Sequence, residues 1–170
     1  SQTLTAAQAA GLTYIDTAYL ATATADGQPY AQHRGGPKGF IRVLDDTTLA
    51  WADYSGNRQY VSTGNLADNP KAFLFLMDYR NKRRVKVWGT ARMVAATDEL
   101  VARLMPEGYG AVAEQILLFT VKAWDINCPQ HIPQLINAAD VATTIHNLTA
   151  RIEALEAENA ALKAQSGNQP

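Results

Sequence analysis

The dipeptide Asp26-Gly27 lies between two short strand-like runs, AYLATAT and PYAQHR. An Asp-Gly step between apolar-alternating runs is a strong hairpin signal, because a tight hairpin turn needs positive φ at its centre. The same punctuation continues along the chain. GGPKG (35–39) leads into FIRVL (40–44), and DDTT (45–48) leads into LAWAD (49–53). KAFLFLMDY (71–79) reads as a buried strand, because it is too apolar to be half exposed. NKRR (81–84) reads as a turn before VKVWGTARMV (85–94), whose Val85, Val87, Gly89, Ala91 and Met93 fall on one face. A last strand is expected in QILLFTVKAWDI (115–126). Short helices are expected at TAAQAA (5–10), ended by Gly11, at about residues 58–67, and at TDELVARL (97–104) behind a Thr or Asp cap. Strands joined by hairpins run antiparallel. The expected fold is therefore mainly β with short helices, a closed or nearly closed antiparallel barrel rather than a parallel α/β sheet.

Composition narrows the functional classes. The chain has 170 residues, 47% hydrophobic and 18% charged, which is ordinary for one globular domain. A net charge of -1 gives no basic field for nucleic acid. Cys128 is the single cysteine, so neither an internal disulfide nor a cysteine zinc cage is available, and a reducing cytoplasm is expected. SQTLTAAQAAG lacks the basic and apolar regions of a secretory signal, and no apolar run approaches the roughly 20 residues of a membrane span.

The C-terminal region has a different pattern. Ile145, Leu148, Ile152, Leu155, Asn159 and Leu162 are spaced as an a/d heptad seam. Ile at a with Leu at d favours a parallel two-stranded coil, and a buried Asn at a fixes its register. Arg151 faces Glu156 of a partner and Glu158 faces Lys163, both pairs of opposite sign. The alternative is one amphipathic helix lying on the body, but so narrow a seam covers a body poorly. A parallel homodimer is the expectation, in which this run of barely three heptads adds to a dimer that the barrel already forms. The domains are then 1–136 for the barrel, 137–165 for the coil helix and 166–170 for a disordered tail.

Four segments offer chemistry. YSGNRQYVSTGNLADNP (54–70) is far longer than an ordinary turn and carries Ser55, Asn57, Arg58, Ser62 and Asn65. A glycine-containing turn before a helix presents free N–H groups and a positive dipole end, and with Arg58 it suits a phosphate; a capped surface helix is the alternative. QHRGGPKG (32–39) puts His33 and Arg34 before paired glycines that allow close backbone approach to a ligand, or that form only a wide turn. RNKRR (80–84) is a solvated hairpin tip except for Arg84, which could point inward. In DINCPQHIPQ (125–134) Cys128 stands near His131 with no acid to orient the imidazole, so it reads as structural. Three histidines at 33, 131 and 146 show no metal-ligand spacing. No hydrolase, Walker or dinucleotide pattern is present, so an enzyme of this kind would rely on a cofactor.

The order LATATADGQPYAQHRGGP, then TLAWADYSGNRQYVSTGNLADNPKAFLFLMDY, then RVKVWGTARM resembles the pyridoxamine 5′-phosphate oxidase-like family. The resemblance covers roughly residues 12–136, and its ending AWDINCPQHIPQ looks like that of an uncharacterised branch. It implies a split β-barrel that binds FMN at a dimer interface. Carried over residue by residue, Gln32, His33 and Arg34 match the strand that runs along the flavin. Asn57, Arg58, Ser62 and Asn65, with Asp53 at the strand end, match the segment gripping the phosphate and ribityl chain. Arg84 stands where the vitamin-processing oxidases carry a glutamine against the flavin ring. Gln130 and His131 match a loop that closes over the flavin from the second subunit. The C-terminal arginine and histidine of true pyridoxamine phosphate oxidases have no counterpart, which argues against pyridoxal phosphate synthesis. The implied activity is an FMN-dependent oxidoreduction of an unidentified small molecule. The alternatives are a deazaflavin-dependent reductase of the same fold, or a non-catalytic flavin- or haem-binding dimer with His33 or His131 as axial ligand.

Overall fold

The computed structural model describes residue 3 and residues 10–56, 58–126 and 129–166. Seven strands are present in the described chain: β1 (Thr17–Ala23), β2 (Pro29–Gly35), β3 (Arg42–Asp45), β4 (Thr48–Tyr54), β5 (Lys71–Asp78), β6 (Arg83–Ala95) and β7 (Ala113–Ile126). They form one sheet in the order β2-β1-β5-β6-β7-β4-β3, with every pairing antiparallel. Among the described residues they are accompanied by α1 (Val61–Asp68), α2 (Asp98–Leu104) and α3 (Ala138–Ser166), besides a helical turn at 10–12. The chain divides into two units, residues 1–133 and 134–170.

The first unit is a split β-barrel. Leu20 of β1, Leu74 and Leu76 of β5, Val87 of β6, Phe119 of β7 and Trp51 of β4 meet in one buried cluster, so the sheet curls around a shared interior. The opposite face of β4 and β7 places Ala50, Ala52 and Ile116 under Leu104 of α2. Thr97 caps α2, its hydroxyl oxygen accepting the N–H of Leu100 at 3.4 Å. No ladder joins β2 to β4 across the split; the ion pair between Arg34 and Asp53 spans it.

The hairpin over residues 24–28 forms as expected, with Gly27 at φ 96 and the Thr24 N–H donating to the Gln28 carbonyl at 3.0 Å. Gly89 sits where the β6–β7 register shifts, and a Cβ there would lie 2.0 Å from the Thr120 carbonyl oxygen. That contact is backbone to backbone, so no larger residue fits.

Several expectations need correction. Residues 4–9 lie outside the described chain, and the helical turn at 10–12 runs through Gly11 rather than ending there. Phe40 and Ile41 are core residues that precede β3 instead of opening it. The helix expected from about 58 starts at Val61, because Arg58 and Tyr60 adopt left-handed φ of 55 and 50. The run FLFLM is not buried on both faces. Leu74 and Leu76 point inward, but Phe73 and Phe75 are half-buried on the outer face beside Trp88, which is 42% exposed. The Phe73 and Trp88 rings meet edge to face at 5.1 Å.

In the second unit α3 is an unbroken helix of 29 residues, about 43 Å long at 1.5 Å per residue. Asn137 Oδ1 accepts the N–H of Ala139 at 2.8 Å at its start. Ile145, Leu148, Ile152, Leu155 and Leu162 of the seam are exposed in the single chain. The tail residues 167–170 lie outside the described chain. Among the described residues no helix is long and apolar enough to cross a membrane.

Candidate functional site

The segment after β4 is shaped by its backbone. Ser55 donates its N–H to the Val112 carbonyl at 2.9 Å, which holds the exit of β4 beside the entry of β7. Arg58 and Tyr60 are then both left-handed, a conformation that costs a non-glycine residue of order 1 kcal/mol or more. Glu114, at the start of β7, lies against both side chains. It accepts the Tyr60 hydroxyl, and Arg58 Nε lies 4.0 Å from the same carboxylate oxygen.

Helix α1 begins immediately after. Tyr60 supplies no side-chain cap, and the first turn holds no acidic residue. The first N–H groups of a helix lack intrahelical partners, so the positive end of α1 is presented without internal neutralisation. The inner side of α1 is anchored. Ser62, 1% exposed, donates its hydroxyl to Gln32 Oε1 at 3.0 Å. One turn on, Asn65 Nδ2 donates to Thr22 Oγ1 at 3.0 Å, and Leu66 enters the core.

These elements enclose a cleft of about 290 Å³ lined by Gln32, Arg34, Asp53, Arg58, Tyr60, Ser62 and Glu114 among others. Two arginines face two carboxylates within it. Burial pushes the Asp53 carboxyl above the usual carboxylate range, Glu114 adds to that, and Arg34 opposes it. Arg34 is nearly enclosed, with its side chain 13% exposed, whereas that of Arg58 is 70% exposed. The cleft therefore has one enclosed cation and one exposed one.

Of the residues singled out in the sequence, Gln32, Arg34, Asp53, Arg58 and Ser62 meet in this cleft. Asn65 lies behind it, between α1 and β1. His33 projects from the other face of β2, its ring edge-on to Tyr19 at 5.6 Å. Arg84 is on the outer face of β6, opposite Met77, and does not line the cleft. Gln130 and His131 occupy an exposed turn beyond β7. Asn57 and Cys128 lie outside the described residues. Sequence reasoning missed Glu114 and Tyr60. Glu114 is one carboxylate at the mouth of an apolar strand, and only the pairing of β4 with β7 brings it to Arg58.

Among the described residues no group of three histidine, cysteine, aspartate or glutamate side chains is placed to hold a metal ion. Comparison with curated proteins finds none that matches. Solved structures do match. One is a Lactobacillus delbrueckii protein provisionally assigned as a pyridoxamine 5′-phosphate oxidase, with 25% identity and TM-score 0.53, over 74% of this chain and 95% of that one. HupZ of Group A Streptococcus matches at 19% identity and TM-score 0.53, over 78% of this chain and 100% of that one. An FMN-binding protein from Syntrophomonas wolfei matches at 14% identity and TM-score 0.51, over 76% of this chain and 84% of that one. The last two likenesses establish the fold alone. The family model described as pyridoxamine 5′-phosphate oxidase matches residues 4–128, from before β1 to just beyond β7, and the chain belongs to that family.

Proposed function

We propose that this chain is an FMN-dependent oxidoreductase acting on a small molecule, with the flavin held in the cleft of Arg34, Arg58 and Ser62 and enclosed by a second copy of the chain. The observation that carries this reading is the uncapped N-terminus of α1 standing beside two arginines. Free helix N–H groups and a guanidinium are the usual means of holding a phosphate. The donor set fits the group. Arg58 is exposed and only loosely paired with Glu114, so it is free to turn to a phosphate. Arg34 stays committed to Asp53 and fixes the cleft wall, while the Ser62–Gln32 pair offers hydroxyl and amide groups to a polyol chain. FMN, when bound, supplies the hydride chemistry, and these side chains supply binding and orientation.

Two features support a dimer. A cleft of about 290 Å³ is at the lower limit of cofactor sites, which run from about 300 to 1,000 Å³, so one chain makes only part of the enclosure. The outer face of β1, β5 and β6 carries Tyr19, Phe73, Phe75 and Trp88, an apolar surface suited to burial against a second copy. We assign Arg84, on that same face, to the flavin ring, and Gln130 and His131 to the loop a second copy brings over it. The exposed seam of α3 gives the dimer a second contact as a parallel coiled coil. A cytoplasmic location accords with the single cysteine.

The test is a visible spectrum of the purified full-length protein, before and after adding FMN and desalting, with sedimentation of the same sample. Retained flavin bands on a dimer, bleached by a nicotinamide donor, are expected. A colourless protein that releases all added FMN overturns the reading. A Soret band assigns the fold to haem, and bound flavin without turnover assigns it to storage or sensing.

A further inference from the structure

A smaller hollow of about 140 Å³ lies between β2 and β4, beside the cleft and sharing Arg34, Asp53 and Tyr54 with it. Three of its lining residues carry a buried polar atom with no hydrogen-bond partner among the described residues: Nε of Arg34, Nε1 of Trp51 and the hydroxyl of Tyr54. Arginine and indole nitrogens only donate, and a tyrosine hydroxyl can donate. Trp51 is 1% exposed, so bulk water does not satisfy its N–H. Buried polar groups are nearly always hydrogen-bonded, and three unpaired ones around one hollow call for a common acceptor.

One end of the hollow is closed tightly. A Cβ on Gly36 would lie 2.9 Å from Phe40 Cβ and 3.3 Å from the Tyr54 hydroxyl, so glycine is what lets both rings close this end. Asp53, the carboxylate on the wall, already accepts from Arg34 Nη1. What remains is a surplus of donors. The hollow has room for several waters, but each would have to donate in turn to a wall whose one carboxylate already accepts from Arg34. A phosphate dianion would bring two charges against Asp53. A carboxylate brings one charge and two oxygens with about four acceptor positions.

We propose that this hollow is a carboxylate subsite, taking the carboxylate of a small-molecule ligand through Arg34, Trp51 and Tyr54. That the ligand is the substrate of the neighbouring cleft rests on the flavin reading; that the hollow takes a carboxylate does not.

The experiment uses the full-length protein labelled with ¹⁵N-tryptophan. Its three indole N–H signals are assigned with Trp88→Phe and Trp124→Phe, and acetate is titrated against chloride at matched ionic strength, with and without FMN. The Trp51 signal is expected to move saturably with acetate and not with chloride, while the signals of Trp88 and Trp124 stay fixed. Tyr54→Phe is expected to weaken acetate binding about tenfold. Gly36→Ala, which crowds the same hydroxyl, is a second variant expected to weaken it should Tyr54→Phe fold poorly. A stationary Trp51 signal overturns the proposal. Equal affinity for acetamide assigns the hollow to a neutral carbonyl and also overturns it. Loss of acetate binding on saturation with FMN makes the hollow part of the cofactor site, a third overturning result. Acetate binding in a protein that takes up no FMN upholds the subsite and removes only the flavin reading.

Discussion

Arg58→Ala should weaken FMN without weakening riboflavin, because the proposed role of Arg58 is confined to the phosphate. The size follows from its surroundings. A hydrogen bond to a charged group contributes about 1.5–3 kcal/mol, but the Arg58 side chain is 70% exposed and screened, so the lower limit applies. Engaging the phosphate also means leaving Glu114, 4.0 Å away, an exposed pair worth about 0–1 kcal/mol. The net loss on truncation is then about 0.5–1.5 kcal/mol, or roughly two- to tenfold in Kd. Arg34→Ala would be a poorer test. It strands the buried carboxylate of Asp53, and breaking a buried pair costs about 3–5 kcal/mol of stability, so lost binding would be confounded with lost fold. The assay is quenching of flavin fluorescence, with FMN and riboflavin titrated in parallel into wild type and Arg58→Ala at fixed ionic strength. Equal loss for both flavins would place Arg58 away from the phosphate. No loss for either, in a variant with native circular dichroism, would refute the phosphate cradle at α1.

Asn65→Ala should destabilise the barrel by about 1–3 kcal/mol in urea unfolding, because it leaves the buried Thr22 hydroxyl unpaired; Thr22→Val in the same chain should recover part of the loss, and full additivity would mean that the two do not interact. Asp53 gives a pH signature: its folded pKa is raised above the 3.8 of the free group, so the folded state binds the proton more tightly. Its contribution to stability is therefore largest below pH 3.8 and falls as pH rises through the folded value. Urea unfolding of wild type and Asp53→Asn across that range should show their difference shrinking with pH, and a difference that grows would reverse the assignment. Removal of residues 141–170 should leave a dimer of lower stability, whereas a monomer by sedimentation would put the interface in α3 alone. Asn159→Leu should raise the melting temperature of the coil and mix its oligomeric states.

The strand framework was legible because its signals are local. Asp26-Gly27 fixes a hairpin, Thr97 caps a helix, and Val85, Val87 and Ala91 keep a period of two that survives into the core. Arg58 and Ser62 stood out because their polar run is too long for an ordinary turn, but a capped surface helix accounts for such a run as well, and only the structure shows both lining one cleft. Non-local pairings were not legible. Glu114 reaches Arg58 across 56 residues of sequence through the β4–β7 ladder, and nothing beside it marks it as different from any other surface acid. The late start of α1 was hidden too, because left-handed φ at Arg58 and Tyr60 goes against the preference of both residues, and the carboxylate that lies against them comes from outside the segment. His33 adjoins Gln32 and Arg34 in sequence but faces away from them, since alternation along β2 separates neighbours.

The reading of FLFLM as a doubly buried strand failed in an informative way. Its apolarity suits burial on both sides, yet one side of the single chain leaves Phe73 and Phe75 half-buried next to Trp88 and Tyr19. A strand patterned for two buried faces but covered on one is a strand whose second cover comes from elsewhere. The cleft has a like deficit: at about 290 Å³, lined from α1, β2, β4 and β7, it is at the lower limit of cofactor sites and leaves part of a flavin uncovered in the proposed complex. The seam of α3 repeats it, with apolar positions spaced for a partner helix and exposed without one. The apolar outer face and the small cleft of the first unit, and separately the open seam of α3, are deficits each of which the proposed second copy would meet. That convergence, rather than any one contact, is the reason to look for the flavin between two copies and not within one.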